Sequence, residues 1–133
     1  MIRSFKDLQV WKKAMDGAME VFTLTKSFPS EEKFSLTDQI RRSSRSVPAN
    51  VSEAWRKRHY PAAFVSKLND AEGEAAETQT HLELALRCKY LEGVTVARLD
   101  GIYNEILAML DNMATHPEQW IFSHLHSPFS PLR

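Results

Sequence analysis

Four stretches of this chain place apolar residues alternately three and four positions apart, the spacing of one face of an α-helix. Short segments containing proline, glycine or serine separate these stretches, and no alternating strand pattern competes with them. Four helices of similar length with short connections pack as antiparallel neighbours. The sequence therefore predicts an all-α fold, an antiparallel up-down-up-down four-helix bundle in residues 1–116, followed by a proline-rich C-terminal tail in residues 117–133.

The apolar stripe of each helix predicts the residues of the core. The first stripe comprises Leu8, Trp11, Met15, Ala18, Phe22 and Thr25. The second comprises Leu36, Ile40, Ser43, Val47, Val51 and Ala54. The third comprises Phe64, Leu68, Ala71, Ala75, Thr78, Leu82 and Ala85. The fourth comprises Leu99, Ile102, Ile106, Met109 or Leu110, and Met113.

Residues that cap or break helices predict where each helix begins and ends. Ser4 and Asp7 offer a variant of the capping box for the first helix. Pro61 suits the first position of the third helix, residues 92–93 end that helix, and Thr95 is placed to cap the fourth. The helices should each be roughly 30 to 40 Å long at 1.5 Å per residue.

Composition favours one small cytoplasmic domain. The chain has 133 residues, with 17 Lys and Arg balancing 17 Asp and Glu, so no global charge directs it towards nucleic acid or membrane. Cys88 is the only cysteine, which precludes an internal disulfide and fits a reducing compartment. Neither a signal peptide nor a run of roughly 20 apolar residues is evident, so we expect a cytoplasmic protein without a membrane partner.

Charge is concentrated in the second and third helices. Residues 41–59 hold six basic residues against one acid, whereas residues 70–83 hold five acids and no Lys or Arg. On a helical wheel Arg41, Arg45 and Arg56 lie within roughly 60° of one another, opposite the apolar stripe. The candidate nucleic-acid-binding residues are Arg41, Arg42, Arg45, Arg56, Lys57 and Arg58.

Two functions fit these cations. Arginine forks bind phosphate bidentately, and a linear array can follow a nucleic-acid backbone. Alternatively, the same arginines pair with Glu72, Glu74 or Glu77 of the third helix, within one chain or across an oligomer, and the protein is an interaction scaffold. Pairing of Arg41 and Arg45 with those acids would contradict the nucleic-acid interpretation.

Two further residues of the second helix invite structural predictions. Pro48 removes a backbone donor and leaves the carbonyl of Ser44 without its usual partner, which predicts a kink. Asn50 lies near the edge of the apolar stripe, where we expect it to form a hydrogen bond to another helix.

Three motifs carry a family resemblance: "FKDLQVW" in residues 5–11, "FPSEEKFSLTDQIRRSSRSVPANVSEA" in residues 28–54 and "KYLEG" in residues 89–93. Through them the chain resembles the four-helix-bundle 23S rRNA intervening-sequence proteins, or S23 family, over about residues 5 to 115. It is more distantly similar to the accessory variability protein of diversity-generating retroelements. The combined pattern of the second helix is specific, whereas each motif alone is weak.

The resemblance implies a homopentameric barrel of bundles without catalytic residues. The retroelement relative implies binding to nucleic acid and to a reverse transcriptase through basic surface residues, so structured RNA or an RNA–protein complex is the expected partner besides the protein itself. By position, Asn50 and Glu53 correspond to the family's structural Asn-x-x-Glu element. The chain departs from the family where Ala54 and Trp55 follow Glu53, since glycine usually stands after that glutamate. The apolar tail, which lies outside the resemblance, is a candidate to dock on a neighbouring subunit.

Catalytic, metal and cofactor motifs are weak. His124 and His126 suggest a metal only faintly, because no nearby cysteine completes a site. Glu77 and His81 are one residue too far apart for the Glu-x-x-His motif of di-iron bundles, and the motif has no second copy. Cys88 fits a packing role better than a nucleophile. We therefore expect no enzyme activity, no metal and no cofactor.

Overall fold

The computed structural model describes residues 2–121, and the regular secondary structure of this part of the chain consists of helices only, without β-strands. Helix α1 spans Gln9–Thr25, α2 spans Leu36–Arg56, α3 spans Pro61–Arg87 and α4 spans Gly93–Thr115. Three short 3-10 helices lie at Phe5–Asp7, Ser30–Glu32 and Pro117–Gln119. Helix α1 packs against α2 and α4, and α3 packs against the same two helices. The predicted all-α four-helix bundle is confirmed.

The apolar stripes predicted for α2 and α3 form the centre of the core. Every residue of both stripes is buried, including the small and hydroxyl-bearing ones. In α4 the choice between two positions falls to Leu110, which is buried, while Met109 is half-buried. Tyr103 of α4 also lies in the core and has the largest fully buried side chain. Ile102, also predicted for the α4 stripe, is only half-buried. Spacing alone therefore located the buried face of α2 and α3 and most of that of α4.

The stripe predicted for α1 is wrong in part. Met15 is exposed, and Trp11 and Phe22 are only half-buried. The buried face instead comprises Val10, Ala14, Gly17, Ala18, Val21 and Thr25. These small side chains let α1 approach α4 closely, because a Cβ atom on Gly17 would lie 3.0 Å from the hydroxyl oxygen of Tyr103.

The start of α1 also differs from the prediction. Ser4 and Asp7 do form a capping box, but it caps the 3-10 helix Phe5–Asp7. The backbone of Leu8 is extended, with ψ of 129°, so α1 begins only at Gln9 and has 17 residues. The extended residue separates the capping box from the helix that it was expected to begin.

The end of α3 was predicted too late. Helix α3 stops at Arg87, and Lys89 adopts a left-handed backbone with φ of 65°. The amide of Tyr90 donates to the carbonyl of Ala85 at 2.9 Å, as in a Schellman motif. Gly93 is consequently the first residue of α4 rather than the end of α3, with Glu92 as the N-cap. Thr95 lies inside α4 and does not cap it.

Two further predictions concerned Cys88, at the turn after α3, and the C-terminal tail. Cys88, expected to pack in the core or at its edge, is exposed because it lies at the C-cap of α3. Trp120 and Ile121 of the tail are half-buried against the core of their own bundle. The remaining tail, with the two histidines of the weak metal motif, lies outside the described residues.

Candidate nucleic-acid interface

Helix α2 directs its cations to different neighbours, because successive residues are rotated by about 100°. Arg41 and Arg45 lie on the side of α2 that meets α1, whereas Arg42 lies on the side that meets α3. The helix continues through Pro48, which is buried. The kink expected at that proline stays a prediction.

On the α1 side, three cations surround one aromatic ring. The guanidinium carbons of Arg41 and Arg45 lie 4.8 Å and 5.7 Å from the centroid of the Phe22 ring, and Nζ of Lys26 lies 4.8 Å from it. Nε of Arg41 also donates a hydrogen bond of 2.8 Å to Oγ1 of Thr25. Cation–π attraction and this hydrogen bond hold the Phe22 cation cluster, meaning Lys26, Arg41 and Arg45, against α1.

The Phe22 cation cluster has no acidic partner. None of the ion pairs formed within residues 2–121 includes Lys26, Arg41 or Arg45. The scaffold interpretation expected Arg41 and Arg45 to meet the acids of α3, and within this chain they do not. Within residues 2–121, their positive charge is therefore not neutralised by any ion pair.

Arg42 behaves in the opposite way. Its Nη2 lies 2.7 Å from Oε1 of Glu77, and its Nη1 lies 3.6 Å from Oε1 of Glu74. Burial raises the pKa of Glu74, and hydrogen bonding and charge repulsion from the adjacent Glu77 raise it further. Arg42 thus links α2 to α3, as the alternative interpretation predicted for arginines of this helix.

Below Arg42, a buried polar network continues between α2 and α3. Oγ1 of Thr78 donates to Oγ of Ser43 at 2.8 Å, and Ser43 lies 3.2 Å from Nδ1 of His81. We assign the Ser43 hydroxyl as the donor to Nδ1, which puts the ring proton on Nε2, 3.9 Å from Oε1 of Glu77. Burial is the main cause that lowers the pKa of His81, so the neutral ring is favoured.

The order Ser43, His81, Glu77 matches that of a nucleophile, a base and an acid, but its surroundings do not suit catalysis. The side chain of Ser43 is fully buried, and its oxygen already accepts from Thr78. A substrate carbonyl has no path to this oxygen through the packed α2–α3 interface. The network therefore joins the two helices and specifies their register.

The cations at the end of α2 form a separate cluster. Arg58 donates from Nε to the carbonyl of Trp55 at 2.7 Å, and its guanidinium carbon lies 3.4 Å from the centroid of the Trp55 ring system. Arg56, Arg58, Arg3 and His59 line a depression of about 380 Å³ beside this tryptophan, which is itself buried in the core. Trp55, which follows Ala54 where the resemblance would place a glycine, thus packs within its own chain.

The predicted linear array is therefore divided into two. Between Arg45 and Arg56 the wheel places Ser52, whose hydroxyl accepts a hydrogen bond of 3.2 Å from Nε1 of Trp11. Trp11 covers this part of α2 and separates the Phe22 cation cluster from the cations around Trp55. Lys57, the C-cap residue of α2, is exposed.

The two polar residues carried over from the family have different roles. Asn50 donates to the carbonyl of Ser46 in its own helix at 2.9 Å, so the predicted bond to another helix is wrong. The short amide side chain reaches a carbonyl one turn earlier in its own helix more easily than it reaches a neighbouring helix. Glu53 does bridge two helices, with Oε2 lying 3.0 Å from Nζ of Lys67 in α3.

A surface groove of about 640 Å³ adjoins the Phe22 cation cluster. Its lining, which we call the basic groove, includes Lys33, Phe34, Asp38, Arg41, Arg42 and Arg45. Phe34 is 88% exposed, the highest value among the large apolar residues of the described chain. Phe34, Lys33 and Phe22 were not predicted as site residues from the sequence. The available signal was an aromatic residue out of register with the α2 stripe and next to a lysine.

A family model for the 23S rRNA-intervening sequence proteins matches residues 6–112. The chain belongs to this family. A crystal structure at 1.70 Å resolution of a Bacteroides thetaiotaomicron protein of unknown function, from the S23 ribosomal protein family, is 33% identical. The similarity covers 80% of this chain and 95% of that chain, with a TM-score of 0.73. Among curated proteins, none matches this S23 family member.

Two other features were sought in the described part of the S23 chain, namely a membrane-spanning helix and a metal-binding group. Among residues 2–121, no helix is both long and apolar enough to cross a membrane. The same residues contain no group of three or more His, Cys, Asp or Glu side chains that could hold a metal ion.

Proposed function

We propose that this protein is a non-catalytic accessory protein that binds RNA through the basic groove. The observation that carries the proposal is the Phe22 cation cluster, in which Arg41 and Arg45 are held in position and form no ion pair with any acid of the described residues. Guanidinium groups fixed in this way meet phosphate oxygens with little loss of side-chain freedom. Membership of a family named for intervening sequences of 23S rRNA is consistent with an RNA partner.

The cations around Trp55 provide a second contact for the same strand. Arg56 lies eleven positions after Arg45 along the helix, or about 16 Å at 1.5 Å per residue. A flexible strand can cross Trp11 between these points, so Arg56, Lys57 and Arg58 add phosphate contacts beyond the groove. In the proposed homopentamer, repetition of the groove would raise the apparent affinity through multivalent binding. A reverse transcriptase is a further proposed partner, on the more distant resemblance to the accessory variability protein.

A protein-interaction scaffold is the second candidate. The α2–α3 interface favours it, because Arg42 and Glu53 both form ion pairs with residues of α3. Under this proposal Arg41 and Arg45 would meet acids of an adjacent subunit. The two candidates thus differ only in what neutralises the Phe22 cation cluster.

The test is a titration of a fluorescent single-stranded RNA at several salt concentrations, with wild type and an Arg41→Gln/Arg45→Gln variant. Removal of each phosphate contact should reduce the slope of log K against log salt by about 0.7. We therefore expect a clearly shallower slope and weaker binding in the double variant. Arg87→Gln is the matched control, because Arg87 is an exposed arginine that pairs only with Glu83 of its own helix.

Light scattering on the same samples separates the two candidates. The accessory protein is supported if the wild type binds RNA and the double variant binds it more weakly while keeping the same oligomeric state. Dissociation of the double variant into smaller species, with no RNA binding by the wild type, would favour the scaffold. Equal slopes for Arg87→Gln and the double variant would contradict a specific role for the basic groove.

A further inference from the structure

We infer that Phe34 is a stacking platform for an unpaired base, so that the basic groove selects single-stranded over double-stranded nucleic acid. This inference rests on the proposed function and adds the class of ligand. An aromatic side chain beside a cationic groove is the arrangement by which proteins hold single strands without reading their sequence. A base in a continuous duplex is stacked on both faces and is not available to such a ring.

The exposure of Phe34 contrasts with the role of the other aromatic ring at this site. The Phe22 ring is half-buried and already carries the guanidinium groups of Arg41 and Arg45. The Phe34 ring is 88% exposed, and Nζ of Lys33 approaches it to 5.3 Å from the ring centroid. One ring therefore positions cations, and the other remains open to a ligand.

The turn that carries Phe34 is held firmly, so the exposure of the ring is not due to a loose loop. The carboxylate of Glu32 accepts from the backbone amide of Leu36 at 3.2 Å and from the hydroxyl of Tyr90 at 2.8 Å. Leu36 itself is buried beside Phe28 in a small second core. Because Glu32 and Leu36 are held on either side of it, the backbone of Phe34 is held in place at the edge of the groove. A base that stacks on the ring therefore does not have to order the turn first.

The charge of the groove lining indicates which class of ligand would cover the Phe34 ring. Lys33, Arg41 and Arg45 line the same groove as Phe34, against one acid, Asp38. In a two-fold contact a second copy would present the same surface and bring like charges together, which opposes an isologous dimer at this site. A strand with a phosphate at every nucleotide instead satisfies the cations while one of its bases covers the ring. The arrangement thus favours nucleic acid over a symmetric protein contact.

The experiment compares wild type, Phe34→Ala and Phe34→Trp on a short fluorescein-labelled single-stranded RNA and on the blunt duplex formed with its complement. Loss of one stacked base should weaken binding of the single strand by about ten-fold in Phe34→Ala. Phe34→Trp should retain the affinity, and duplex binding should change less than two-fold. Val94→Ala is the control, since Val94 is an apolar side chain with 74% exposure outside the groove.

The salt dependence distinguishes failure of this inference from failure of the proposed function. Phe34→Ala removes no charge, so its slope of log K against log salt should equal that of the wild type. Binding of the single strand with equal affinity by wild type and Phe34→Ala would overturn the stacking role and leave RNA binding intact. Absence of binding by the wild type would overturn both. A smaller oligomer in Phe34→Ala would show that the ring contacts another subunit, which also overturns the inference.

Discussion

Arg41 and Arg42 are adjacent in sequence, yet one lies beside α1 and the other beside α3. Arg42 is neutralised by Glu77 and Glu74, above the buried network of Ser43 and His81. Arg41 stacks on an aromatic ring and has no acid partner in the described chain. The difference teaches that rotation about the helix axis, not the local charge of the sequence, decides whether a cation serves stability or is left available for a ligand.

The largest effect should come from the buried side of this comparison. Ser43→Ala removes the hydroxyl between Thr78 and His81 and leaves Nδ1 of the histidine without its partner. We expect the free energy of unfolding, measured with urea, to fall by about 2 kcal/mol. Ser46→Ala is the control, because Ser46 donates only to the carbonyl of Arg42 in its own helix. Equal losses in the two variants would show that the network contributes no more than an ordinary surface hydroxyl.

The pH dependence of stability tests the buried network between α2 and α3 in a second way. Because burial lowers the pKa of His81 in the folded chain, the unfolded chain takes up its proton first as the pH falls. Stability should therefore decrease as the pH drops below about 6.5, by at most about 1.4 kcal/mol per pH unit for one proton. Glu74 acts in the opposite direction at lower pH, since its raised pKa makes the folded chain take up a proton first. In urea titrations at several pH values, His81→Gln should remove the decrease in stability below about pH 6.5. An unchanged pH profile in this variant would show that another group causes that decrease.

Replacing Arg41 and Arg42 by glutamine, one at a time, tests the comparison directly. Arg41→Gln should weaken binding to single-stranded RNA about five-fold, or about 1 kcal/mol, with little change in stability. Arg42→Gln should leave binding within about two-fold and lower the free energy of unfolding by about 0.5 kcal/mol, as for a partly exposed ion pair. Fluorescence titration and urea denaturation of both variants provide the four values. Similar reductions of RNA affinity in both variants would show that Arg42 also contacts RNA, so that the two arginines would not differ in role.

The smallest effect should come from the residue that positions Arg41. Thr25→Val removes the oxygen that accepts from Nε of Arg41 and keeps the volume of the buried side chain. We expect about a two-fold decrease of RNA affinity, because the guanidinium group remains on Phe22 but is less fixed. Combining Thr25→Val with Arg41→Gln should add nothing beyond Arg41→Gln. Additive decreases would mean that Thr25 acts independently of Arg41.

The sequence predicted the bundle well where large residues define one face. The predicted stripes of α2 and α3 follow the alternating spacing of three and four residues, and every residue in them is buried. They left out other buried residues of the same helices, among them Ser44, Trp55 and His81. Helix α1 misled the prediction because its large side chains, Trp11, Met15 and Phe22, lie off the centre of the core. Small residues such as Ala14 and Gly17 occupy that centre, and their burial depends on the close approach of α4, which is a tertiary property.

The candidate site was predictable in outline but not in its partners. The helical wheel correctly placed Arg41 and Arg45 away from the core. It contained no information about Phe22 and Thr25, which come from another helix, or about Trp11, which covers Ser52 and divides the array. Phe34 was missed because an aromatic residue ahead of a helix fits a core role equally well until the turn that carries it is known.

The positive charge of the Phe22 cation cluster also has a kinetic consequence. Long-range attraction acts before contact, so Lys26, Arg41 and Arg45 should govern how fast a polyanion arrives, most strongly at low ionic strength. Stacking on Phe34 acts only after contact and should govern how long the ligand stays. Under the proposed function, capture and retention are thus assigned to different atoms of one groove, and stopped-flow measurements can follow the two separately.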